Sequence, residues 1–323
     1  MTDAHVHRLF RFGVLAEHAR TPDALRETAR RAEAAGYATL LLRDHFIEAP
    51  FGHQLAPLVS LATVAAATTT LRVGTLVLAN DYRHPVHVAK EFASLDCLSD
   101  GRVELGLGAG FSVPEYQQAG LPFDSARTRI ERLAEAVQVI NGLWAEAPFS
   151  FAGQHYTLDQ LDSYPKPHQR PRPPILIAGA GRRILQVAAR EADAIGLLAG
   201  PISSGYITDE DPTERLAERL DERIDWIRQA AGERFAQIEL SIVAAITIAT
   251  DPLAAAGAVA QRRGWHTFTP AQILDMPAQL IGPPEQLVEL VLARRARYGL
   301  SYVIVSDAAL DVFAPIVARL AGQ

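Results

Sequence analysis

TLLLRDHF (Thr39–Phe46) begins as an unbroken apolar run, the pattern of a strand buried on both faces, and ends on a carboxylate, an imidazole and an aromatic ring. A turn needs only Gly, Asn or Pro, so these three residues ask for a reason of their own. A helical segment precedes the run, from near Pro22 to a capping Gly36, and another begins near Pro57. The same alternation continues along the chain. Strands read at Phe12–Ala16, Thr39–Leu42, Arg72–Leu78, Val103–Leu107, Ile175–Ala178, Ala194–Leu198, Ile238–Ile248 and Tyr302–Val305, and helices begin near Pro22, Pro57, Pro85, Ser125, Gly181, Pro212, Pro252 and Pro284. Eight such strands predict an α/β fold, a closed (β/α)8 TIM barrel; an open doubly wound sheet is the competing arrangement.

With 323 residues, 49% hydrophobic and 21% charged, the chain can bury a large core, and residues 1–323 read as a single domain. Insertions near 108–124, 147–174 and 250–281 are too long for plain connections. The first two are expected to shape the barrel mouth, and the third to form a lid or only packing. A net charge of -6 with scattered basic residues argues against nucleic acid as a partner. No stretch is long and apolar enough to cross a bilayer, and charges among the first twenty residues break any signal-peptide core. Cys97, the only cysteine, allows no internal disulfide; it reads as a small core residue, and a cytoplasmic setting is expected.

Catalytic groups of a barrel gather where the C-terminal strand ends converge. Asp44-His45-Phe46 lies at one such end, where the imidazole could carry a proton and the adjoining carboxylate could orient it, or where the pair simply caps a turn. LGLGAGF (Leu105–Phe111) puts three glycines after a strand and leaves room for a flat group to approach. It lacks GK[ST] and is no Walker motif. ILIAGAGRR (Ile175–Arg183) runs a strand through Gly179-Ala180-Gly181 into a helix with two arginines, a place for an anion such as phosphate. In NDYRHPVH (Asn80–His87) neither His84 nor His87 has a ligand partner at a metal spacing, and His5 and His7 are read likewise; no metal is expected.

Taken in order, DHF (44–46), LRVGTLVL (71–78), RHPVHVAKEFASLDCLSDGRVELGLGAG (83–110), EYQQAGLPF (115–123), FAGQHYTL (151–158), PHQRPRPPILIAGAG (167–181) and AAREADAIGL (188–197) resemble the bacterial luciferase-like flavin and deazaflavin oxidoreductases over most of the chain. RDHF, GAGF and ILIAGAG look most like the coenzyme F420-dependent subgroup.

The resemblance implies a barrel, usually a homodimer, that binds the cofactor at its C-terminal mouth. Gly179, Ala180, Gly181 and Arg182 would receive its phosphate. Gly108, Ala109 and Gly110 would lie along the ring or its ribityl chain, and Leu76-Val77 would form a non-proline cis peptide behind the ring. Asp44 and His45 would face the reactive edge, with His45 as the proton carrier. Phe46, Phe51, His53, Phe111, Tyr116 and Trp265 would line a substrate pocket. Sugar-phosphate dehydrogenases of the subgroup carry a glutamate after the GxG turn, where this chain has Phe111, so a small apolar or aromatic substrate is expected instead. The implied reaction is hydride transfer between coenzyme F420 and an imine, enone or ketone. The alternatives are a reduced-FMN monooxygenase served by a separate reductase, and a non-catalytic flavin-binding relative.

Overall fold

Proline starts many of the helices because its missing N–H costs nothing where no intrahelical acceptor exists. Pro22, Pro57, Pro85, Pro252, Pro270 and Pro284 all occupy that position. The computed structural model describes all residues except 1–7, 201, 203 and 208–210. His5 and His7 therefore lie outside the described residues.

The strands are β1 (Arg11–Leu15), β2 (Thr39–Leu42), β3 (Arg72–Thr75), β4 (Leu78–Ala79), β5 (Val103–Gly108), β6 (Phe149–Ala152), β7 (Thr157–Leu161), β8 (Ile175–Gly179), β9 (Ala194–Leu197), β10 (Glu239–Ile248), β11 (Gln279–Gly282) and β12 (Leu300–Ser306). The helices are α1 (Pro22–Ala34), α2 (Pro57–Ala67), α3 (Pro85–Leu98), α4 (Val113–Ala119), α5 (Ala126–Trp144), α6 (Arg182–Glu191), α7 (Ala217–Ala231), α8 (Pro252–Arg263), α9 (Pro270–Asp275), α10 (Pro284–Tyr298) and α11 (Leu310–Leu320).

Strands β1, β2, β3, β5, β8, β9, β10 and β12 pair in parallel, and β12 pairs back onto β1, closing the expected (β/α)8 barrel. Alternation along β2 separates two cores: Leu40 and Leu42 pack outward under the helices, whereas Leu41 joins Leu15, Leu176 and Ile304 in the lumen.

The N-terminal end of the lumen is filled by polar groups. The Arg11 guanidinium lies 3.6 Å from the Tyr302 ring centroid, pairs with Glu104, and reaches Glu239 at 2.6 Å, while Arg72 donates to Glu104 at 3.2 Å. These interlocked charges satisfy one another where a lone buried ion would be costly. With that end filled, the C-terminal end is the one left to the loops.

Three expectations change. The strand expected over Arg72–Leu78 divides at a cis peptide between Leu76 and Val77, the place the resemblance assigned to it. There Thr75 Oγ1 donates to Gly106 O (2.7 Å) and accepts from Gly106 N (3.1 Å), replacing ladder bonds with side-chain ones. The stretch 250–281 is not irregular: α8 and α9 pack with β11, which extends the sheet beside β10. Cys97 is exposed, because α3 turns Phe92, Leu95 and Asp96 inward and leaves position 97 on the outer face. The insertion at 147–174 contains the β6–β7 hairpin, held by Glu135, whose carboxylate accepts from the N–H groups of Gln154, His155 and Tyr156.

Candidate functional site

Past the end of β2, the backbone alternation sends neighbouring side chains opposite ways, and this separates Asp44 from His45. Asp44, buried, accepts from Ala79 N (3.1 Å) and from both terminal nitrogens of Arg83 (2.6 and 3.1 Å). Both of its oxygens are thereby committed to fastening the β2 end to β4 and the segment after it. The expectation that Asp44 orients the imidazole is corrected: the carboxylate on His45 is Glu115, from α4, whose Oε2 lies 3.0 Å from His45 Nδ1.

Glu115 is 1% exposed and accepts further bonds from Phe46 N (2.5 Å), Ile47 N (3.4 Å) and the Tyr82 hydroxyl (3.3 Å). Burial alone would raise its pKa, but the hydrogen bonds from His45, Phe46 and Ile47 outweigh it and hold the carboxyl below its ordinary range. Burial, reinforced by the Glu115 charge, pushes the Tyr82 hydroxyl up, so it stays a neutral donor. The His45 ring stacks on Phe51 at 4.4 Å between centroids and meets Phe111 edge-on at 6.0 Å. Arg43, paired with Glu17 at 2.7 Å, lies 4.3 Å from the Phe51 centroid.

The remaining expected pocket residues divide. Phe46 is 54% exposed and stacks on Tyr82 at 4.4 Å, and His53 stands at the rim beside Glu48 at 3.3 Å. Tyr116 is wholly buried, and its hydroxyl donates to Asp81 at 2.9 Å beneath the glycine turn. There Gly110, at φ +71°, has room only because it lacks a Cβ. Tyr116 is thus a support of the wall and not its surface. Trp265, expected at the mouth, is instead buried among Val259, Ile273 and Met276, because α8 and α9 need an apolar centre of their own.

The two glycine-rich turns follow β5 and β8, at the same end of the parallel barrel as His45. Gly108 lies against Val77, and Ala109 is buried beside it. Gly179 packs against Ile184, and the Ala180 carbonyl accepts from Arg223 at 3.3 Å. Gly181 begins α6 with no side-chain cap, and a Cβ there would meet nothing within 4 Å. Uncapped amide donors beside open space, with Arg182 and Arg183 exposed above them, fit an anionic group. His84 caps α3, its Nδ1 accepting from Val86 N at 3.3 Å, and among the described residues no cluster of three or more His, Cys, Asp and Glu gathers for a metal. Among the described residues, no helix is long and apolar enough to cross a membrane.

The residues missed by sequence reading are Glu115, Tyr82 and Arg83. Their signal was a glutamate inside an insertion and polar residues after a strand, which gain meaning only once α4 folds back over the β2 end.

The sequence profile described as luciferase-like monooxygenase matches residues 3–301. The chain is 33% identical over 249 residues to an F420-dependent glucose-6-phosphate dehydrogenase of Kineococcus radiotolerans, covering 76% of this chain and 68% of the relative. It is 37% identical over 187 residues to an F420-dependent hydroxymycolic acid dehydrogenase of Mycobacterium tuberculosis, covering 56% of this chain and 51% of that relative. An F420-dependent secondary alcohol dehydrogenase, solved with an F420-acetone adduct, shares the fold with a TM-score of 0.77 at 20% identity, over 97% of this chain and 99% of that one.

Proposed function

Because the chain belongs to the luciferase-like monooxygenase family, we propose that it is a coenzyme F420-dependent oxidoreductase acting on a small apolar or aromatic substrate. The observation that carries this reading is the placement, at one barrel end, of an uncapped helix start beside open space and an imidazole braced by a buried carboxylate. The F420-dependent relatives support the choice of cofactor. When bound, the deazaflavin supplies hydride transfer at its ring carbon five and largely ignores oxygen.

The chain's own residues do the rest. Amides from Gly179 to Arg182 hold the anionic tail. Gly108, Ala109 and Gly110 leave space for the ring, and Leu76-Val77 supports it from behind. Asp44, clamped by Arg83, frames the edge, and His45 gives or takes the substrate proton. Phe46, Phe51, His53 and Phe111 form the substrate wall. Phe111, directly after the glycine turn and edge-on to His45 at 6.0 Å, supports an apolar or aromatic substrate.

Anaerobic mixing with reduced F420 and a panel of imines, enones and ketones, followed by deazaflavin absorbance, tests this reading; no oxidation with any of them contradicts it. The family's description supports a second reading, a reduced-FMN monooxygenase fed by a separate reductase, which would instead consume oxygen in an aerated assay supplied with reduced FMN. A homodimer accords with the family resemblance, and sedimentation tests it.

A further inference from the structure

We propose that Glu115 is the positioning residue of His45: it holds the proton on Nδ1 and thereby turns Nε2 toward the substrate as the atom that exchanges protons. This rests on the role given to His45 above.

The argument is one of donors and acceptors. An ionised carboxylate can only accept hydrogen bonds. Oε1 of Glu115 takes the N–H groups of Phe46 (2.5 Å) and Ile47 (3.4 Å), and Oε2 takes the Tyr82 hydroxyl at 3.3 Å. The remaining partner of Oε2, His45 Nδ1 at 3.0 Å, must therefore donate. In the neutral ring this leaves Nε2 with its lone pair, a base. In the protonated ring Nε2–H is an acid whose charge Glu115 offsets at the other nitrogen. Both directions of proton transfer are served without moving the ring.

No other nearby charge can replace it. Asp44 is taken by Arg83 and Ala79 N. Asp81 is held by Tyr116 and Arg132. Glu17 pairs with Arg43 behind Phe51. The Phe51 stack and the Phe111 edge then set the ring plane. Phe111 follows the glycine turn, and the carboxylate arrives at position 115 from the first turn of α4.

The test is 15N-histidine NMR of the cofactor-free protein, with the His45 signal assigned by its loss in His45→Ala. The expected wild-type signal is the Nδ1–H tautomer. In Glu115→Gln, whose amide can donate to Nδ1, the tautomer should switch to Nε2–H. Tyr82→Phe should keep the wild-type tautomer. In turnover, Glu115→Gln should lower kcat at least about 100-fold with the cofactor Kd little changed. A wild-type ring found as Nε2–H overturns the proposal, even if Glu115→Gln does not fold. So does a folded Glu115→Gln with an unchanged tautomer. A tautomer switch together with full turnover by His45→Ala would support Glu115's hold on the ring and refute the catalytic role of His45.

Discussion

Gly108 at the end of β5 and Val77 beyond β3 stand so close that a Cβ on the glycine would lie 2.6 Å from Val77 Cγ2. The two residues close the lumen wall at the place assigned to the cofactor ring. Gly108→Ala should therefore push Val77 aside and cost about 1–3 kcal/mol of stability, read as a lowered Tm, with weakened F420 binding. An alanine variant with unchanged Tm and affinity would mean that this wall yields freely.

Gly181 behaves oppositely. A Cβ there meets nothing within 4 Å, and the residue's φ of -76° suits any side chain. Gly181→Ala should leave stability within about 0.5 kcal/mol of wild type. Gly181→Leu, filling the open space, should weaken F420 binding at least about tenfold while the Tm barely moves. Unchanged affinity in Gly181→Leu would place the cofactor's tail elsewhere.

His45→Ala should lower kcat by about 100-fold or more and leave the cofactor Kd within a few-fold, since the role proposed for the imidazole held by Glu115 and Phe51 is proton transfer and not anchoring. Steady-state kinetics beside a binding titration separates the two. Equal turnover would remove His45 from the reaction.

Glu33 on α1 tests the electrostatics away from the site. Burial would raise its pKa, but bonds from the N–H groups of Thr70, Leu71 and Thr69 lower it from 4.5 to about 2. Folding depresses this pKa, so the contribution is whole above the ordinary carboxylate range and is lost as pH falls from about 4.5 through about 2. Glu33→Gln should cost about 1–2 kcal/mol at neutral pH and narrow its gap to wild type in that acid window. A gap constant down to pH 2 would contradict the assignment.

The barrel was legible because its signals are local: an apolar run at Thr39–Leu42, prolines at helix starts and glycines after strands require no knowledge of what lies across the fold. β11 escaped because QLIG is short and follows a helix-rich insertion, so its pairing with β10 is a tertiary matter. The geometry of the candidate site was half legible. His45 and the two glycine turns could be named from their positions at strand ends, whereas the partner of the imidazole could not. Asp44 is its neighbour in sequence but points away, and Glu115 lies seventy residues on in sequence. Tyr116 and Trp265 were drawn to the mouth by their chemistry alone, and packing claimed both.

The most direct test is to titrate the purified protein separately with coenzyme F420 and with FMN, followed by calorimetry. The expected result is saturable binding of F420, weakened in Gly181→Leu, with FMN bound far more weakly. Preferential retention of FMN, or no affinity for F420, would contradict the account.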